Sequence, residues 1–164
     1  MRLGVPVLAV SFAVLACAAP VSGQRSDDQI APKSVELQKQ GESFLAAGKF
    51  DQAEDALEAS LAVDPRNRWA FVDLARVGEK QRLYGKAIRM TNKALLLEPN
   101  DPDALSVQGE AMVELGATAR AQANLTKLQT ICTKGCPQAT QLAAAISRGP
   151  SVAAVKEPAS PKSN

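Results

Sequence analysis

Cys132 and Cys136, in the run Cys-Thr-Lys-Gly-Cys, are the residues whose type and spacing most directly suggest chemistry. Such a thiol pair can act as a redox couple, as half of a metal site, or as a structural bridge. The redox reading asks for Cys-x-x-Cys beside a βαβ pattern, and the sequence offers neither. A structural zinc asks for four nitrogen or sulfur ligands, whereas the chain has three cysteines and no histidine. A bridge fits better. Gly135 ends one helix, Pro137 opens the next, and a disulfide would staple the turn in an oxidising compartment. Its loop is short, so it removes little unfolded-state entropy and acts mainly by fixing the angle of the following helix.

Other reactive groups do not assemble into a matched set. Glu54, Asp55 and Glu58 fall at helical spacing and read as a solvated acidic face. The serines and threonines have no histidine or placed lysine to activate them, and the lack of histidine removes the commonest general base. No glycine-rich phosphate loop is present. Thus no catalytic residue, no metal and no cofactor is expected, and an enzyme is excluded at this level. A net charge of +2 lacks the basic excess of a nucleic-acid binder.

The elements that carry these residues are helical by composition. Aromatic residues make up 4% of the chain, so Ala, Leu and Val must fill the core, a palette that favours packed helices over a sheet. The start of the chain is different in kind. Arg2 precedes a 17-residue apolar run at 3–19, and Val21 and Gly23 stand at −3 and −1 of a cut before Gln24. This is the pattern of a secretory signal peptide. Val14-Leu15-Ala16-Cys17 offers a competing lipoprotein signal, in which Cys17 would carry lipid and bring the protein to a membrane.

From residue 34 onward the sequence repeats every 34 residues. Asp64-Pro65 returns as Glu98-Pro99. The small residues Gly41, Ala75 and Gly109 form one column, and Ala53, Ala87 and Ala121 another. Leu37, Phe71 and Leu105 form a third. Phe44 and Met112 share a column in which Gly78 is the exception. Pro65 and Pro99 end helices, Asn67 and Asp101 are suited to N-caps, and Pro102 suits the first helical position. Helices are predicted at 33–46, 50–63, 68–81, 84–97, 102–115 and 118–131, with a seventh at 137–148 and no strand.

These columns resemble the tetratricopeptide repeat. The resemblance implies an all-α, right-handed α-solenoid of three helix-turn-helix repeats (34–67, 68–101 and 102–135) plus a C-terminal capping helix at 137–148. Around this domain at 33–148, residues 1–23 are the signal, 24–32 a flexible lead-in and 149–164 a disordered tail. The small-residue columns are then the sites where helices cross closely. The Cys-x3-Cys ending is similar to that of small exported tetratricopeptide proteins of Gram-negative bacteria.

The resemblance also implies a concave groove that holds a protein or peptide partner. Its positions fall on Val35, Gln38, Glu42, Leu45 and Ala46 in the first repeat. The second supplies Trp69, Val72, Arg76, Glu79 and Lys80, and the third Asp103, Ser106, Glu110, Val113 and Glu114. Trp69 stands two residues before the packing position Phe71 and should point away from the core; Arg76 should be a basic centre between Glu42 and Glu110. Relatives that clamp a C-terminal carboxylate would need basic and amide residues where Gln38 and Glu42 stand. Arg82, Lys86, Arg89 and Lys93 form a basic stripe that reads as an exposed convex face. The expected function is a non-catalytic periplasmic adaptor of the bacterial envelope. A thiol–disulfide role for Cys132 and Cys136, or a lipid-anchored outer-membrane subunit, are the alternatives.

Overall fold

The computed structural model describes residues 29–151. The expected signal peptide at 1–23, Cys17 and the expected tail beyond Ser151 lie outside those residues. Seven helices follow one another: α1 Pro32–Ala46, α2 Phe50–Val63, α3 Arg68–Lys80, α4 Tyr84–Leu97, α5 Pro102–Glu114, α6 Thr118–Ile131 and α7 Pro137–Arg148. Each packs on the next, and α1, α3, α5 and α7 also pack side by side. The odd helices therefore build one face of the solenoid and the even helices the other. Among the described residues no helix is long and apolar enough to cross a membrane.

Local chemistry sets the helix ends. The Asn67 Oδ1 accepts from the Ala70 N–H at 3.4 Å, and the Asp101 Oδ1 from the Ala104 N–H at 2.9 Å, each satisfying a donor that the first turn leaves open. Pro102 follows Asp101 at a position where its missing N–H removes no helical bond. The turn inside each repeat needs one left-handed residue. Gly48 and Gly116 supply it with φ of 72° and 75°, but the equivalent residue of the middle repeat is Arg82, at φ 60°. A side chain with a Cβ is strained there.

Three apolar layers run along the solenoid. Leu57, Leu74 and Val77 centre the first; Val72, Ala75, Ala87 and Val107 the second; Leu105, Leu125, Leu128 and Leu142 the third. The small columns mark close approaches. A Cβ on Gly41 would lie 2.5 Å from the Leu57 Cγ, and one on Gly109 would lie 2.6 Å from both methyls of Leu142. The Gly109 contact is with α7, which takes the place that the first helix of another repeat would occupy. Ala53, Ala87 and Ala121 are fully buried. Gly78 has its own reason for breaking its column: a Cβ there would meet the Ala87 N at 3.2 Å and the Leu83 O at 3.3 Å, so a large side chain could not fit. Pro65 and Pro99 lie in the turns that follow α2 and α4.

One segment differs from the sequence reading. The end of the lead-in is tied down. Ile30 is buried, and the Ala31 N–H donates to the Asp64 Oδ2 at 3.1 Å. Asp64 also accepts from the Arg66 backbone and guanidinium. A polar network that the repeat pattern does not announce joins α1 to α2: the Ser34 and Ser60 hydroxyls each donate to the other's carbonyl, at 2.9 and 2.7 Å, and both accept from the Asn67 Nδ2. At the far end, Cys132 and Cys136 face each other across the turn into α7 with Cα atoms 5.7 Å apart, a separation that a disulfide spans.

Candidate functional site

Side-by-side packing of α1, α3 and α5 leaves a cavity of about 470 Å³ on the odd-helix face. Gln38 and Glu42 of α1 line it with Trp69, Val72 and Arg76 of α3 and Asp103 of α5. Seven of the sequence-derived groove residues, these six and Val35, thus meet in one hollow. The register explains this: residues a turn apart on one helix share a face, and the 34-residue repeat carries that face onto the next odd helix. Trp69 is 39% exposed. The Arg68 guanidinium lies 4.1 Å from the centroid of its ring, a cation–π distance.

Arg76, expected as a basic centre between Glu42 and Glu110, is held by two aspartates instead. Its Nη1 donates to the Asp73 Oδ1 at 2.8 Å and its Nη2 to the Asp103 Oδ1 at 3.0 Å. The second oxygen of Asp73 accepts from the Gln38 Nε2. Burial still pushes the Asp73 carboxyl above its ordinary range, against the pull of Gln38 and Arg76. Asp73 was absent from the groove positions, yet its carboxylate organises the cavity floor. Only the pairing of Gln38 with a residue one step beyond the repeat interval could have signalled it.

A second hollow of about 190 Å³ lies farther along the same face, between Glu79, Lys80, Glu110 and Glu114, with Arg148 of α7 at its edge. Burial and then the neighbouring Glu110 push the Glu79 carboxyl up to about 8. Burial also pulls Glu114 upward, but the hydrogen bonds from Ser151 and the Arg148 charge outweigh it and hold that carboxyl below its usual range. The Ser151 N–H and hydroxyl reach the Glu114 Oε2 at 2.9 and 2.6 Å, so the chain beyond α7 returns to the concave face.

The remaining expectations need correction. Ser106 is buried under α7, where its hydroxyl donates to the Glu110 Oε1 at 3.0 Å and the Gln138 carbonyl at 3.2 Å. Val113 is fully buried in the third layer. Neither faces an open groove, because α7 covers that part of the third repeat. The basic stripe is also broken. Arg82 lies in the turn before α4, Lys86 pairs with Glu54 of α2, and the Lys93 ammonium sits 5.5 Å from the Phe71 ring centroid.

Comparison with known proteins agrees with this architecture. The tetratricopeptide repeat family model matches residues 44–111. No curated protein matches the sequence. Among solved structures, the chain is similar to the first tetratricopeptide domain of Spaghetti (RPAP3) bound to the HSP90 peptide SRMEEVD. The TM-score is 0.65 at 22% identity, covering 71% of this chain and 91% of that one. The Sgt2 domain from Aspergillus fumigatus gives a TM-score of 0.65 at 19% identity, covering 71% and 78%. The TPR2B–Hsp70 complex of yeast Sti1 gives 0.64 at 21% identity, covering 71% and 97%. By its repeats and by its helix packing, the chain folds as an all-α tetratricopeptide solenoid.

Proposed function

We propose that the protein is a non-catalytic adaptor that holds a segment of a protein partner on the face built by α1, α3 and α5. One observation carries the reading: a large aromatic ring, Trp69, stands half-open at a cavity of about 470 Å³ in a solenoid of this fold. Two of the similar solved structures hold chaperone-derived peptides, which supports a peptide as the ligand. The rest of the reading comes from the sequence. Residues 1–23 direct export, the mature chain begins at Gln24 in the periplasm of a Gram-negative envelope, and a Cys132–Cys136 disulfide braces α7 there.

Affinity for a partner captured by crosslinking in native envelope tests the groove. Trp69→Ala should weaken binding by about 2 kcal/mol or more with helicity unchanged, while Arg89→Glu on the opposite face should change it little. A dominant effect of Arg89 with Trp69 silent would move the binding surface to the even helices. Export is tested separately: protein released by osmotic shock should start at Gln24, whereas a diacylated Cys17 at the mature N-terminus would place the chain on a membrane.

A further inference from the structure

The first turn of α5 governs the surroundings of Trp69. Asp101, its N-cap, accepts from the Arg68 guanidinium that lies over the ring. Two residues on, Asp103 lines the cavity and accepts from Arg76, which also holds Asp73 and, through it, Gln38 of α1. The same Asp103 Oδ1 accepts from the Gln138 Nε2 of α7 at 3.2 Å. A turn farther along α5, the Ser106 hydroxyl donates to the Gln138 carbonyl. One chain of partners thus crosses all four odd helices, and it starts two residues after Cys136.

Gln138 is the second residue of α7, so its place depends on the turn that Cys132 and Cys136 close. Bridged, the pair fixes where α7 begins; as two thiols, it leaves the first turn of α7 held only by noncovalent contacts. Thr133, Lys134 and Gly135 between them are exposed, which puts the bridge within reach of a small thiol. Resting on the groove reading above, we propose that the Cys132–Cys136 pair is a redox control on the Trp69 cavity, transmitted from Gln138 to Asp103 and from the first turn of α5 to Arg76 and the ring. A dithiol supplies the change of state. Its thiolate attacks one cysteine sulfur and its second thiol then closes on the first, so that it becomes a disulfide. The two electrons and two protons it gives up leave Cys132 and Cys136 as thiols. α7 has then two states, held and loosened, and the chain of partners carries the difference to the cavity. In the loosened state Asp103 loses Gln138, the first turn of α5 is freer to move, and the cavity beside the ring opens.

Trp69 is the sole tryptophan, so acrylamide quenching of its fluorescence reports on this cavity without a partner. In the full oxidised chain, dithiothreitol should raise the quenching constant about 1.5-fold or more with helicity unchanged, and reoxidation should restore it. Replacing Cys132 and Cys136 together by Ser should give the raised value and abolish the response to dithiothreitol. Gln138→Leu keeps a side chain of similar size but loses the donor. It should show the raised value in the oxidised protein, with little further change on reduction. Lys134→Ala, in the same turn but outside the chain of partners, should respond as the unaltered chain does. Equal quenching in the oxidised and reduced chains overturns the redox control. A Gln138→Leu variant that responds like the unaltered chain overturns the route assigned to it. Either result leaves the groove reading standing, since that reading is decided by where the partner binds.

Discussion

Arg82 shows how a single residue can be read correctly for type and wrongly for place. Its spacing to Lys86, Arg89 and Lys93 suggests a helical stripe, but the 34-residue register puts it opposite Gly48 and Gly116, in the left-handed position of the turn. Arg82→Gly should therefore raise thermal stability, by about 0.5–1 kcal/mol once the added unfolded-state freedom is deducted from the relieved strain. A fall in stability would mean that the arginine makes up for its backbone elsewhere. Glu79 supports a second residue-scale prediction. Its carboxyl is pushed up from 4.5 to about 8 by burial and Glu110, so between those values the folded chain holds a proton that the unfolded chain has released. Stability should fall as pH rises through that window, and Glu79→Gln should flatten the slope. Arg76 and Lys80 on α3, and Glu110 and Glu114 on α5, all act on this group, so urea titrations at several pH values should be compared in both proteins.

Helix boundaries were legible because turn chemistry and repeat spacing agree. Every helix expected from the sequence is present within one residue at either end. Groove positions were legible in part. Helical periodicity places Gln38, Glu42, Trp69 and Val72 together, but it cannot tell that Asp73 and Asp103 occupy Arg76, nor that α7 covers Ser106. Those are contacts between repeats, and a column within one repeat contains no record of them. The capping helix is the element on which this matters most. Leu142 is fully buried against Gly109, so Leu142→Ala should cost about 2–5 kcal/mol. Replacing both Cys132 and Cys136 by Ser should act on the same element more gently. Hydrogen exchange should then speed up in α7 while α1 to α4 keep their protection, since stacked repeats depend mainly on nearest neighbours. Uniform loss of protection would give the cysteine pair a larger role than bracing the cap.

At the scale of the whole molecule, the solenoid separates two surfaces of different character. One carries Trp69 and its cavity; the other carries the basic residues of α4 and exposed apolar side chains such as Leu96. The account rests on the claim that a partner docks on the first surface. Site-specific photocrosslinking in cells that make the protein tests this most directly, with a photoreactive side chain placed in turn at Val35 and Trp69 on the concave face and at Arg89 and Leu96 on the opposite one. The account predicts a discrete crosslinked partner from Val35 and Trp69 and none from Arg89 or Leu96. The same partner captured only from Arg89 or Leu96 would contradict it.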